Sequence, residues 1–265
     1  MERCILVPFD FSNEANFALD HAFELARIAK FPIHLLYVVD NEKHVEEWQL
    51  ELKNVADDFS KKHNYPVKAI VKSGNLFETI YAYGIEANAY LAVMGTHGLK
   101  TVNKAMKVIK KFVKIPFILV QKPINFGEYD KICVPVYADK KMRAKFLWVK
   151  YLNTLFESTV YIAYPETTDS AKKAEINSNI MFATSIFEKD AIDFEVIALP
   201  ETNFADHLYD YMKKIEPDVV LFMTDKYKKT ILELKTARNT VLYKNIPIMC
   251  VNPRTDIVKL GGFGY

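Results

Sequence analysis

The residues that point most clearly to a binding site are two glycines, Gly95 and Gly98, that follow a short apolar run. The run from Leu91 to Met94 is wholly apolar, which is typical of a buried parallel strand. Glycines at the carboxyl end of such a strand let backbone N–H groups come close to a ligand. Open α/β sheets bind ligands at this end of their strands, near the point where the strand order reverses. The spacing therefore predicts a nucleotide-type binding crevice.

The sequence lacks the patterns that are typical of three other kinds of site. The six histidines and three cysteines show no spacing that is typical of a metal site. There is no GxSxG nucleophile elbow and no P-loop, the patterns of hydrolases and of Walker-type phosphoryl transfer. His97, which lies between the two glycines, is interpreted as a turn or surface residue rather than a base. We therefore predict no metal ligand and no catalytic residue.

The composition indicates a folded protein without a highly charged partner. Half of the 265 residues are apolar, and 35 basic against 33 acidic residues leave a net charge of +2. This balance argues against a nucleic-acid partner, and no apolar stretch is long enough to span a bilayer. Each cysteine lies in an apolar run, which favours buried free thiols in a reducing compartment. The three are Cys4, Cys133 and Cys250. We expect a soluble cytoplasmic protein without a membrane partner.

In the first half, short apolar runs alternate with amphipathic segments, the pattern of βαβ units and a parallel sheet. The predicted strands are Cys4 to Val7, Ile33 to Val39, Val67 to Val71, Leu91 to Met94 and Phe117 to Val120. The predicted helices run from Ser12, from about Lys43 to His63, from Leu76 to Asn88 and from about Val102 to Val113. Ser12 and Asn75 are the expected helix caps.

The second half repeats the first. Ile5 to Pro8 corresponds to Ile132 to Pro135, and Ile115 to Val120 corresponds to Ile246 to Val251. The offset is 127 positions at the first pair and 131 at the second, and other landmarks follow in the same order. A near-constant offset predicts two α/β domains of common ancestry. We place them at residues 1–124 and 129–254, with a tail over 255–265.

Two motifs carry a resemblance to a known family. Val7 to Ser12 and Val93 to Gly98, in this tandem layout, resemble the universal stress protein family in its two-domain form. The resemblance implies two open five-stranded parallel sheets of order 3-2-1-4-5, with helices on both faces and an internal pseudo-twofold axis. Family domains commonly pair through their fifth strands, which would here be Phe117 to Val120 and Ile248 to Val251. The sequence leaves open whether the chain also forms a homodimer or binds an unidentified protein partner.

The resemblance also implies a site for ATP or another adenine nucleotide in the first domain. Its residues would be Asp10, Val38, Gly95, Thr96, His97 and Gly98. The Asp10 carboxylate would accept a hydrogen bond from the adenine amino group or a ribose hydroxyl, and Val38 would offer backbone groups to the adenine edge. Gly95 and Gly98 would present N–H groups to ribose and phosphates. Two alternatives remain: Asp10 only stabilises the first helical turn, and Val38 only belongs to the core.

The sequence departs from the family pattern at the outer phosphates. Nucleotide-binding members have a Gly-Ser pair nine residues after the second glycine, but Val108 and Ile109 stand there. Losing two or three charge-assisted donors costs on the order of 3–9 kcal/mol. The second domain is degenerate, since Thr224 to Tyr227, directly after Met223, contain no glycine where the first half has two. Asp139 is predicted to be a helix cap or a surface charge.

Three functions follow for this chain. The first is a non-catalytic binding or regulatory protein in stress response, with a nucleotide or small-ligand site in the first domain. The second is an interaction scaffold without nucleotide binding, which the missing Gly-Ser pair favours. The third is a slow ATP hydrolase, for which the sequence offers neither a base nor a metal carboxylate.

Overall fold

The computed structural model describes residues 3–96, 109–110, 115–123, 129–224 and 246–252. The chain divides into two compact units, Met1–Asn125 and Phe126–Tyr265. Within the described ranges, no helix is both long and apolar enough to cross a membrane.

The first unit is a five-stranded parallel sheet in the order β3-β2-β1-β4-β5, as predicted. Its strands are β1 (Cys4–Pro8), β2 (Ile33–Val39), β3 (Val67–Ser73), β4 (Ala89–Gly95) and β5 (Phe117–Val120). Its helices are α1 (Asn13–Ala29), α2 (Val45–His63) and α3 (Leu76–Glu86), with a 3-10 turn at Glu42–His44 before α2. The helix predicted over residues 102–113 lies largely outside the described residues.

Local side chains start the helices where the sequence predicts. The Ser12 hydroxyl accepts a hydrogen bond of 3.1 Å from the Ala15 N–H at the start of α1. The Asn75 side chain accepts from two N–H groups in the first turn of α3. Both predicted caps are confirmed, because a short polar side chain satisfies N–H groups that have no partner within the helix.

The outer edge of β3 is covered by α2. The Gln49 amide donates to the Ala69 carbonyl at 3.2 Å, and its oxygen accepts from the Val71 N–H at 3.0 Å. The Ser60 hydroxyl accepts from the Val67 N–H at 3.2 Å. These side chains satisfy backbone groups that an edge strand otherwise leaves open to pairing with another chain.

The second unit repeats this architecture, with parallel strands in the order β8-β7-β6-β9-β10. Its strands are β6 (Lys131–Pro135), β7 (Thr159–Glu166), β8 (Phe194–Pro200), β9 (Val219–Met223) and β10 (Ile248–Val251). Its helices are α4 (Arg143–Phe156), α5 (Ser170–Lys189) and α6 (Phe204–Ile215), with a 3-10 turn at Lys140–Met142 before α4. The predicted repeat is therefore present in the fold.

Candidate functional site

The candidate crevice of the first unit lies where β1 ends and β2 continues. The last paired residues of these strands are Pro8 and Leu36, and the Phe9 N–H donates to the Leu36 carbonyl at 2.9 Å. β2 runs on to Val39, three residues beyond Leu36. A length of β2 backbone therefore extends past its neighbour at the carboxyl end of the sheet, where ligands bind in this class of fold.

The backbone of Val38 is directed towards this opening. In a parallel strand, alternate residues bond to opposite neighbours. Leu36 bonds towards β1, whereas the Val39 carbonyl accepts from Gly74 on the β3 side at 2.9 Å. Val38 therefore presents its N–H and C=O towards β1 after β1 has ended, and the described chain provides no hydrogen bond to either group. One residue thus offers a donor beside an acceptor.

The Asp10 carboxylate lies two residues past β1 and is exposed. One of its oxygens, Oδ1, accepts from the Ser12 N–H at 3.2 Å and also from the Ser12 hydroxyl. The same hydroxyl caps α1. Asp10 therefore stabilises the first turn of α1, the role that the sequence left as the alternative to ligand binding. Its exposure leaves ligand binding as a second role.

An aromatic cluster beside Asp10 was not found by the sequence analysis. The Phe11 ring lies 5.1 Å from the Tyr37 ring and 5.2 Å from the Trp48 ring, and Tyr37 and Trp48 are 5.0 Å apart. All three are partly exposed. Phe11 has a φ of 61°, a left-handed conformation that is uncommon for a bulky residue. This backbone conformation turns the chain between β1 and α1 and brings the Phe11 ring to the end of β2.

The electrostatics at this opening are acidic. Burial first, and then the nearby carboxylates of Asp10 and Asp40, raise the pKa of the Tyr37 hydroxyl. Asp40 and Glu42 are both exposed. The tyrosine therefore stays a neutral donor at physiological pH, and the opening disfavours an anionic group next to Val38.

Gly95, the last residue of β4, is a glycine for a packing reason. A Cβ atom at this position would lie 2.3 Å from the Glu14 carbonyl oxygen and 2.7 Å from the Ala15 nitrogen. The first turn of α1 therefore occupies the space that a side chain would need. The proposed approach of a ligand to the Gly95 N–H stays a prediction, but the glycine is required without it.

Thr96 follows β4 and extends its pairing, since its N–H donates to the Val120 carbonyl at 2.9 Å. Its side chain is buried, with 1% exposed. The hydroxyl Oγ1 has no hydrogen-bond partner in the described chain. His97 and Gly98, the other two predicted residues of this loop, lie outside the described residues.

The corresponding end of β6 in the second unit is filled by the protein itself. Lys145, which stands 127 positions after Ala18, is fully buried, and its amino group donates to the Pro135 carbonyl. Asn179 of α5 donates to the carbonyls of Tyr137 and Asp139 at 3.1 and 3.0 Å. Side chains of α4 and α5 thus bind the end of β6 and the residues after it, the counterpart of the segment that carries Asp10 in the first unit.

The Asp139 side chain accepts from the Lys141 N–H at 3.0 Å and caps the 3-10 turn before α4. The predicted capping role of this residue is confirmed. Directly after the neighbouring strand β9, Thr224 resembles Thr96, because it is 1% exposed and its hydroxyl lacks a partner within the described ranges.

The three thiols of the described chain are buried, and the His21 and His34 side chains are buried or hydrogen-bonded. All three cysteines are buried and free, as predicted. Burial raises the pKa of the Cys4 and Cys133 thiols to about 12, so they are protonated at neutral pH. Burial lowers the pKa of His21 to about 3, and His34 Nδ1 lies 2.8 Å from the Tyr83 hydroxyl. Across the described residues, no group of three or more His, Cys, Asp or Glu side chains is placed to hold a metal ion.

A groove of about 480 Å³ opens at the other end of the sheet, at the start of β2 and β3. Pro32, His34, Tyr65 and Lys68 are among its lining residues. It lies at the amino ends of the strands, so it is separate from the crevice beside Val38.

Comparisons with known proteins agree with this architecture. The chain is similar to a universal stress protein from Archaeoglobus fulgidus, with a TM-score of 0.72 and 14% identity over 96% of this chain and 97% of that one. It is also similar to a protein of unknown function from Pseudomonas aeruginosa, with a TM-score of 0.62 and 17% identity over 98% of this chain and 95% of that one. At these identities the likeness shows the fold alone. No curated protein matched the chain.

The comparison with family models is more specific. The model of the universal stress protein family matches residues 1–110, which include β1 to β4, Asp10, Val38 and both glycines of the loop after β4. The match to the universal stress protein family therefore extends over residues 1–110, within the first unit.

Proposed function

We propose that the protein is a non-catalytic binding or regulatory protein of the stress response, with a site for adenine nucleosides or nucleotides in its first unit. The observation that carries this proposal is the pair of backbone groups on Val38, which face the opening beyond the end of β1. The three buried free thiols favour a reducing compartment such as the cytoplasm.

Adenine is the ligand class that this backbone fits. Its Watson–Crick edge places an amino donor beside a ring-nitrogen acceptor, and the Val38 C=O and N–H supply the complementary acceptor and donor. The exposed carboxylate of Asp10 is an acceptor for a ribose hydroxyl. The partly exposed rings of Phe11 and Tyr37 add apolar surface against the base or the sugar.

The acidic surroundings affect which part of a nucleotide is recognised. Asp10 and Asp40 are exposed, and both carboxylates act on the Tyr37 hydroxyl at the opening. Negative side chains repel phosphates, and the family's Gly-Ser pair is missing from the sequence. We therefore propose that binding energy comes mainly from the nucleoside, so AMP and ATP should bind no more tightly than adenosine.

A second candidate, an interaction scaffold without nucleotide binding, is favoured by two observations. Gly95 is required by the approach of Glu14 and needs no ligand to explain it. Asp10 is already bonded to Ser12. Both features preserve the fold of the first unit whether or not a nucleotide binds.

We propose that the protein is not an enzyme because of the protonation and hydrogen bonding of its reactive side chains. Cys4 and Cys133 are protonated, His21 is neutral in the core, and the His34 ring is bonded to Tyr83. None of these groups lies at the carboxyl end of β1 or β2. A purified sample should therefore release no phosphate from ATP above the buffer rate, and sustained turnover would instead favour the slow hydrolase.

The test is calorimetric titration with adenosine, AMP and ATP, comparing the natural chain with Val38→Pro and Val38→Ala. Proline removes the N–H that faces the opening without removing a hydrogen bond within the described chain. We expect Val38→Pro to lose about 1–3 kcal/mol of binding free energy, roughly five- to 150-fold in affinity, and Val38→Ala to bind almost normally. If the natural chain does not bind adenosine or ATP at millimolar concentration, the scaffold candidate replaces this proposal.

A further inference from the structure

The second unit has an edge strand whose outer backbone groups are open. β8 pairs with β7, and the Val160 N–H donates to the Asp193 carbonyl at 2.8 Å. Because alternate residues of a parallel strand bond to opposite sides, Phe194, Val196 and Ala198 direct their N–H and C=O groups outwards. The described part of the chain provides no hydrogen bond to these outward groups.

The equivalent edge in the first unit is closed, and a change of residue type explains the difference. Gln49 and Ser60 of α2 bond to β3. The residues 127 positions later in α5 are Ile176 and Phe187, which are 2% and 0% exposed. They pack into the core and have no polar atom in their side chains, so they cannot bond to β8.

The equivalence of these positions is supported by the turn that ends each helix. In the first unit the Tyr65 N–H donates to the Ser60 carbonyl at 3.2 Å. In the second unit the Ile192 N–H donates to the Phe187 carbonyl at 2.9 Å. The helices therefore end in the same way, 127 positions apart.

The position of α5 also leaves the outer edge of β8 uncovered, although α6 packs against this strand. α2 packs along β3, whereas α5 packs mainly against α4, β7 and the 3-10 turn before α4. The Val196 side chain is consequently 41% exposed. An open edge with an exposed apolar side chain is a ready template for another strand, and natural proteins usually protect such edges.

We propose that β8 pairs antiparallel with β8 of a second copy of this chain, with Val196 on the twofold axis. In this register Val196 faces its own copy, Phe194 faces Ala198, and Glu195 faces Ile197. Phe194, Val196 and Ala198 each give one donor and one acceptor to the joined sheet. The interface is isologous, because the same residues contribute from both copies.

The side chains of β8 favour a second copy over a strand from another protein. Like charges directly opposite each other destabilise an antiparallel pair. In the proposed register the Glu195 carboxylate faces the apolar Ile197 rather than a second carboxylate, and the exposed Val196 side chains bury each other. The strand is therefore complementary to itself, without need of a basic partner.

The test measures molar mass in solution by sedimentation and light scattering for the natural chain, Val196→Lys and Val196→Glu. We expect the natural chain to dimerise, and each variant to raise the dimer dissociation constant roughly tenfold or more, because equal charges then face each other on the axis. An equimolar mixture of the two variants should recover the dimer, since lysine then faces glutamate. This rescue is expected only if residue 196 faces its own copy.

The control is Leu50→Lys, which places a lysine on another exposed apolar residue, 62% exposed on α2 of the first unit. It should dimerise like the natural chain. A natural chain that stays monomeric, or a Val196→Lys variant that dimerises like the natural chain, would overturn the proposal. Failure of the mixed variants to recover the dimer would also overturn it, with circular dichroism showing that each variant is folded.

Discussion

Gly95 at the end of β4 lies against the carbonyl of Glu14 in the first turn of α1, so closely that an added Cβ atom would be 2.3 Å from that oxygen. The two residues are far apart in sequence, and the contact joins β4 to the helix that Ser12 caps. The glycine therefore holds α1 at the mouth of the candidate crevice through packing of backbone against backbone.

We expect Gly95→Ala to destabilise the first unit by about 1–3 kcal/mol, since the obstructing atoms belong to the backbone and cannot rotate away. Chemical denaturation at equilibrium measures the change. Adding Ala15→Gly to this variant should not restore the stability, because the contact involves the Ala15 nitrogen and not its methyl group. An unchanged denaturation midpoint for Gly95→Ala would show that α1 shifts easily.

The buried hydroxyl of Thr96 predicts a stabilising substitution. A buried polar atom without a partner costs free energy, and Oγ1 of Thr96 has none within the described residues. Valine has the same shape without the hydroxyl, so Thr96→Val should raise the free energy of unfolding by about 1 kcal/mol.

Thr224→Val is the matched variant in the second unit and should act in the same direction. Urea denaturation of both variants is the measurement. If Thr96→Val loses stability while Thr224→Val does not, the Thr96 hydroxyl is hydrogen-bonded in solution. The same urea titration in the presence of adenosine would examine that hydrogen bond.

The lowered pKa of His21 should make the stability of the protein depend on pH. Burial lowers its pKa from 6.5 to about 3 in the folded state, while the unfolded chain keeps the ordinary value. Between these values the unfolded state binds more protons, so stability is full above pH 6.5 and falls as the pH is lowered. The slope from this group is about 1.4 kcal/mol per pH unit.

Comparing the natural chain with His21→Gln between pH 7 and pH 5 isolates this contribution, because glutamine does not titrate. We expect the natural chain to lose about 2 kcal/mol more than the variant over this range. Burial and then the charge of Lys68 also lower the pKa of His34, which acts in the same direction in both proteins. Equal pH slopes would show that His21 is not buried as a neutral group.

We expect the Gln49 side chain to protect the β3 edge from hydrogen exchange. Its oxygen accepts from the Val71 N–H at 3.0 Å, and its amide donates to the Ala69 carbonyl at 3.2 Å. In Gln49→Ala the Val71 N–H should exchange with deuterium faster, since it loses its acceptor. Gln49→Glu keeps the acceptor and loses the donor, so the Val71 N–H should stay protected. Equal exchange in all three proteins would contradict this role.

Much of the fold could be predicted because its signals are local. β2 and β5 begin and end at the predicted residues. In each case a proline, Pro32 or Pro116, stands directly before an apolar run, which makes the bounds of the strand clear from the sequence. β4 is longer than predicted, Ala89–Gly95 rather than Leu91–Met94. The added residues pair with Cys4 of β1 and Val120 of β5, and pairing partners from other segments are not visible in a local pattern.

By itself, the sequence determined the tandem α/β architecture, the strand order through its family resemblance, the helix caps and the burial of the cysteines, because periodicity, capping and apolar runs act over a few residues. Only the tertiary structure decided why Gly95 is a glycine, how Phe11, Tyr37 and Trp48 meet beside Asp10, and why β3 is closed while β8 is open. These features depend on contacts between segments distant in sequence, whose distances and directions follow from the packing of helices on the sheet.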